Sequence, residues 1–447
     1  MKKKIIFQTC VIISLTIILL MNDLSAQVEI PSSFNPVGSG ARAIGMGGAF
    51  IASADDATAA SWNPGGLIQL EKPEYSMVFN YFRRSEKHHY EKLDSADGSH
   101  GLNEEDLNYF SLAYPFELFQ RNMIVAVTYQ NLYDFNKEIN FSFMEEIPDQ
   151  LSIDTDISYS QKGRLSALGL SYCIQIVPQL SFGFTLNFWN DHLTHNNWSQ
   201  NYVTHEYEWD VFDDFTRYVD HKTEAYQFKG FNINIGFLWQ MTNELTMGFV
   251  LKTPFSADIN HKLNDRLTTY YLEAGETEPE ITARQPIIDE MEETLNMPMS
   301  IGMGLSYHFS DFMTINADIY RTNWNNYTIE DEDGVERSPL SHRLISQTDI
   351  DPTHQIRIGG EYRYVQPNYM IPFRCGLFYD PAPSDGSPDN FYGFSLGSGF
   401  SNKYISIDAA YEYRTGNDVG ESMMPGLGFS QDLDQHTLYM SMIVYLQ

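Results

Sequence analysis

Residues 38–67 read GSGARAIGMGGAFIASADDATAASWNPGGL, and how this stretch is read decides how the rest of the chain is read. It is too rich in small residues to build a core of its own and too apolar to be a linker, which leaves a compact plug. Gly45, Gly47 and Gly48 fall within four positions. With no Cβ in the way, they let the backbone turn tightly or approach another wall closely. Residues 52–60 are mostly good helix formers, interrupted by Asp55 and Asp56, and Asn63-Pro64 followed by Gly65-Gly66 stops any helix. The pattern predicts a short coiled and helical segment ending before the first strand-like run at Glu74.

Upstream, three lysines precede an apolar run over 11–21 and a small-residue exit at Ser25-Ala26. This predicts a secretory signal peptide over 1–26, because the run is shorter than the ~18–20 residues that span a bilayer. Cys10 lies ahead of the apolar run and is not a lipoprotein cysteine. The expected organisation is a signal peptide at 1–26, a plug at 27–72 and a strand-built domain at 73–447.

That last part has an unusual composition for a soluble domain. Tyr (28) and Phe (29) are abundant, mean hydropathy is −0.33, and no later run is long and apolar enough for a membrane helix. Alternation explains both properties. In 355–364, Ile356, Ile358, Tyr362 and Tyr364 face one way, and Gln355, Arg357, Glu361 and Arg363 the other. The same two-faced pattern holds over 231–237, 300–309 and 404–414. Roughly fourteen such runs follow one another, and their connections alternate between long and very short. A membrane barrel segregates long outer loops from tight periplasmic turns in this way, whereas a sandwich has no reason to. The fold class is therefore all-β: a transmembrane antiparallel barrel of about fourteen strands with an N-terminal, mostly helical plug in its lumen. Alternation puts Cys173 inward and Cys375 outward, so no disulfide is expected. Tyr81, Phe82, Tyr129, Tyr133, Trp189, Trp239, Tyr320, Trp324 and Tyr379 near strand ends are candidates for interfacial girdles.

The pieces ARAIGMGGAF, ADDA and WNPGGL resemble the N-terminal hatch of the FadL/TodX family of outer-membrane transporters. The resemblance continues through 297–327, with its Thr322-Asn323-Trp324 ending, and through 374–381, RCGLFYDP. The chain ends in Tyr445-Leu446-Gln447 rather than on an aromatic, a departure from barrels of this kind. A dinucleotide loop at Gly45-x-Gly47-Gly48 is excluded, since no strand precedes it and no long helix follows. The resemblance implies a monomeric channel in the bacterial outer membrane, surrounded by outer-membrane lipid, for passive uptake of hydrophobic small molecules, foremost long-chain fatty acids. It also implies a hatch carried by Gly45, Gly47, Gly48, Asp55, Asp56, Asn63 and Pro64. Ligand passes that hatch by a shift of its N-terminal segment or through a gap in the barrel wall, and no wall kink is legible in the sequence. The beginning GARAIGMG resembles, in addition, relatives that anchor protein-secretion systems in the outer membrane. The interior separates the two readings: a transporter needs an apolar cavity, an anchor a filled lumen and a stable protein partner.

The formal charge of −31 sits largely in the expected outer loops and disfavours nucleic acid as a partner. No catalytic constellation, cofactor motif or metal site stands out. His192-x-x-His195 lacks the helix and third ligand of a zinc site, and His88, His89, His205 and His221 read as solvated loop histidines. For ligand capture, the connection over 191–222 offers Trp198, Tyr202, Tyr207, Trp209, Phe212 and Phe215 at high density, either as a docking surface or as rings packing on one another. For a carboxylate head group, the inward positions offer Arg164, Arg357, Arg363 and Arg374, set against inward Asp318, Glu361, Asp408 and Glu412 that would pair with them.

Overall fold

Strands that alternate apolar and polar residues can bury neither face alone, and here they close on themselves. The computed structural model describes residues 38–147, 150–424 and 426–446; the signal-peptide segment 1–26 and plug positions 27–37 lie outside the described residues. Fourteen antiparallel strands form the barrel. They are Glu74–Tyr90, Gly98–Leu118, Arg121–Asp134, Leu151–Val177, Leu180–Asn190, Phe215–Gln240, Leu245–Lys252, Ser300–Ser310, Met313–Thr322, Thr353–Gln366, Tyr369–Tyr379, Tyr392–Ser401, Ile405–Val419 and Phe429–Tyr445. Each pairs with the next, and the last returns to the first with Glu74 opposite Tyr445, so no edge is left open.

The two faces follow the alternation. Ile356, Ile358 and Tyr362 are about half exposed, as are Met303, Leu377 and Leu438, forming an apolar outer belt, while Gln355, Arg357 and Glu361 are buried inside. Cys173 is buried and Cys375 exposed, and both are free. Of the expected girdle aromatics, Tyr81 and Trp239 face out, but Phe82, Tyr133, Trp189, Tyr320 and Trp324 are buried inside the wall. Nearness to a strand end does not set the side; the parity of the position does.

At one end the strands meet in tight turns. At the other, where loops were expected, Lys137–Ile147, Asn196–Asp210, Phe255–Leu272 and Ile287–Met297 pair with the prolonged ends of Leu151–Val177 and Phe215–Gln240 and with one another. This outer extension is held by stacked rings: Phe135 on Trp198 at 4.7 Å, Trp198 on Tyr226 at 4.7 Å, and Tyr226 on His261 at 4.1 Å. His88 is not solvated either; it is buried in its strand, 3.2 Å from Glu86. Two connections fold inward at the outer mouth, placing Leu340, Ile350, Met423 and Met424 in buried clusters.

Candidate functional site

The plug segment enters the barrel from the tight-turn end and lies against its inner wall. Its helices are short, Ala41–Ile44 and Ala59–Trp62, followed by the 3-10 turn Pro64–Gln69, because two glycines in left-handed conformation interrupt the first (Gly47, φ 68°; Gly48, φ 71°). Asn63 closes the second: its Oδ1 accepts the Gly65 amide, and Pro64 begins the turn that follows.

The wall opposite is stripped of side chains where the plug touches it. Gly183 pairs across strands with Gly236, Gly248 with Gly304, and Gly359 with Gly376. A Cβ on Gly359 or Gly376 would overlap the Met46 carbonyl or the Gly47 amide, and one on Gly183 or Gly236 would overlap the Asn63-Pro64 step. In the sequence these glycines are ordinary inward positions of alternating strands. A glycine inside a strand signals close backbone approach, and that signal, read in pairs, would have found them.

Polar wall side chains then fix the plug backbone. Asp318 Oδ2 accepts the amides of Phe50 (2.7 Å) and Ile51 (2.9 Å), Ser395 Oγ accepts the amide of Gly47 (2.8 Å), and Arg357 donates to the Gly47 carbonyl (2.9 Å). From the plug side, Asn63 Nδ2 donates to the carbonyls of Ile51 (2.8 Å) and Phe237 (2.9 Å). Arg42 reaches Asp55 within the plug and Glu361 on the wall (3.2 Å). Burial pulls the pKa of Arg42 down most strongly, but Asp55, Glu361 and Asp56 together hold it well above the usual guanidinium value. Burial pushes the Asp56 carboxyl up, although Thr58 donates to it through both its amide (2.8 Å) and its hydroxyl (2.5 Å).

Between plug and outer mouth lies a chamber of about 120 Å³, floored by Ser39 and Ile44. Five carboxylates line it, Glu104, Asp106, Asp134, Asp380 and Glu412, against two guanidiniums, Arg357 and Arg414. Both guanidiniums face Asp380, at 3.6 and 3.7 Å. Of the four arginines expected as carboxylate partners, only Arg357 reaches the chamber. Arg164 pairs with Asp106; Arg363 lies 3.7 Å from Glu361; and Arg374 donates to Glu361 and Asp408, both at 2.6 Å. The chamber itself is polar and net anionic.

The six aromatic residues expected on an exposed connection divide. Trp198 is not exposed: it is buried in the stacked column. Tyr202 packs on Tyr159 at 4.6 Å, and Tyr207, Trp209 and Phe215 cluster towards the hairpin tip, where Trp209 and Phe212 remain 43% and 41% exposed.

A break in the wall lies where barrel and extension meet. Lys252 stands opposite Ser300 and Phe255 opposite Met297, so the unchanged register sets Pro254 opposite Pro298. Neither has an N–H, and the ladder is interrupted there. On the neighbouring edge, Phe215–Gln240 pairs with one partner up to Asn234 and with the next only from Lys229. Just inside this seam is a pocket of about 50 Å³ whose wall is shared between Trp189, Phe255, Met297 and Trp324 and polar residues including Asn187, Asn232, Asn234 and Lys252. Prolines within strands carry this signal in the sequence, but that they face each other depends on pairing that only the fold reveals. Among the described residues, no group of His, Cys, Asp and Glu is placed to hold a metal ion.

Residues 35–426 match the family model described as outer membrane protein transport protein (OMPP1/FadL/TodX). No curated protein shows a significant sequence match. Among solved structures, a FadL homologue of Pseudomonas aeruginosa is similar at 14% identity over 93% of this chain and 100% of its own, with a TM-score of 0.60. The toluene transporter TodX of Pseudomonas putida is 14% identical over 92% and 99%, TM-score 0.54, and the CymD monoaromatic hydrocarbon channel 15% over 93% and 99%, TM-score 0.52. At these identities the likeness speaks for the fold.

Proposed function

This chain belongs to the FadL/TodX family of outer-membrane transport proteins, channels for hydrophobic compounds, and from that premise we propose how it works and what it carries. The cargo moves passively, is captured at the outer extension around Trp209 and Phe212, and leaves the lumen sideways through the Pro254–Pro298 seam rather than straight through the plug. One observation carries the reading: the way down is closed by the plug, bonded at the wall glycines and Asp318, while the ladder interruption at Pro254 and Pro298 has a pocket with Trp189, Phe255, Met297 and Trp324 on its wall directly behind it. The proposed working unit is a monomer, in which the closed barrel leaves no strand edge for a partner to extend.

Long-chain fatty acids are the cargo that the family resemblance suggests, and uncharged hydrocarbons are the cargo named for TodX and CymD. Of these two the lumen disfavours the carboxylate, because the inward arginines are already engaged by Asp or Glu or by the plug. An anchoring role in secretion requires a filled lumen and a stable partner; the lumen holds a chamber of about 120 Å³, polar rather than the continuous apolar cavity expected of a transporter, so it is the family match that favours transport.

Uptake of labelled toluene and labelled oleate by cells of a deletion strain, with and without the protein restored in their outer membrane, tests the proposal. Toluene uptake well above that of the deletion strain is expected. A reversible disulfide between Thr253→Cys and Met299→Cys, which the register sets opposite each other, should abolish the flux until reduced. Flux unaffected by the closed disulfide would reject the lateral route.

A further inference from the structure

We propose that the chamber above the plug is a binding site for the ammonium head of a hydrophobic amine, and so selects cationic over anionic amphiphiles among the compounds this channel admits. The inference rests on the channel reading and names the substrate class of its lumen. Its strand register makes the argument. Glu412 stands opposite Thr437, Thr437 opposite Phe82, and Phe82 opposite Glu104, so one inward row carries a carboxylate at each end with a hydroxyl and a ring between. Among the described residues neither Glu104 nor Glu412 lies within ion-pair distance of a basic side chain. One step along the same face is Gln435, only 7% exposed. Its Nε2 donates to Thr437, but its Oε1 is buried and accepts from nothing. Asn80 and Asn131 line the same space, and their Oδ1 atoms are also buried without a donor.

A buried acceptor without a donor is costly, and a carboxylate in a low-dielectric space stays ionised only when positive charge or donors are brought to it. An ammonium group supplies three donors and that charge together. A carboxylate supplies neither, and would meet Glu104, Asp134 and Glu412 in a chamber whose Asp106 is paired with Arg164 and whose two guanidiniums are turned to Asp380. The rings of Phe82 and Tyr133 flank the space and suit both an alkyl tail and a cation.

The test uses the folded protein in nanodiscs at neutral pH, with empty discs subtracted. Calorimetric titration compares dodecylammonium, dodecanol and dodecanoate, which share one chain length. Dodecylammonium should bind roughly tenfold more tightly than dodecanoate, the effect of one charge-assisted hydrogen bond, with dodecanol between. Glu412→Gln should remove most of that preference. Glu104→Gln, at a less buried position, should weaken it independently, and heat-modifiable migration on gels verifies that each variant is folded. Dodecanoate binding as tightly as dodecylammonium, or a preference untouched in both folded variants, would overturn the proposal. Toluene flux without head-group preference rejects this site and leaves the channel standing; preference without any flux does the reverse.

Discussion

The plug belt and the outer extension both fill the inside of one continuous strand wall, and they do so by opposite means. In the belt the wall gives up its side chains, as paired glycines, and the contact is made by directional bonds from Asp318, Ser395, Arg357 and Asn63 to backbone groups. In the extension the wall supplies its largest side chains and the contact is a stack of rings running through Phe135, Trp198, Tyr226 and His261. The belt therefore closes the way down through individual directional bonds, whereas the extension is a frame held by buried aromatic area. The two means of closure are separated along the barrel axis.

The largest effect should come from breaking the frame. Trp198→Ala should destabilise the extension by about 3–5 kcal/mol, visible as a lower unfolding midpoint in urea, while ion conductance stays closed because the plug bonds are untouched. Next is the belt. Asp318→Ala leaves two buried amides without an acceptor, at about 1.5–3 kcal/mol for a bond to a charged group, and should raise the frequency of channel openings in planar bilayers without shifting the extension's midpoint. Gly359→Ala places a methyl group against the Met46 carbonyl; overpacking of this kind costs about 1–3 kcal/mol and should appear as partial leak and faster proteolysis near residue 46. If either belt variant melted the extension first, the separation drawn here would fail.

A smaller effect concerns pH. Burial alone would lower the pKa of His261, but Glu224 and Glu293, at 3.6 and 3.4 Å, outweigh it and raise the group to about 9, against 6.5 unperturbed. The folded extension therefore holds a proton that the unfolded chain releases earlier. Its contribution is present in full below about pH 6.5 and disappears as pH rises through about 9. The unfolding midpoint of the extension should fall across that window, and His261→Gln should flatten the dependence. A midpoint rising with pH over the same range would contradict the assignment.

Much of the barrel was legible in the sequence because membrane strands repeat a simple rule. Parity told Ile358 from Arg357, and turns such as Pro178-Gln179 marked the periplasmic end. The plug was legible from its small residues for the same reason, since close approach demands them. The extension was not. Beyond the membrane both faces can carry polar groups, so Lys137–Ile147 and Phe255–Leu272 look like charged loops, and Trp198 looks exposed until its stacking partners on neighbouring strands are known. The glycine pairs and the facing prolines were hidden for a related reason: each residue is ordinary by itself, and its meaning lies in which residue the register brings opposite.

The central claim is that residues 38–67 stopper an otherwise open bore. It is tested most directly by single-channel recording of a variant lacking those residues, in the same bilayer as the intact protein and after its barrel is shown to be folded. A steady ion current through the deletion variant, with the intact protein closed, is the predicted result. A folded deletion variant as silent as the intact protein would contradict it.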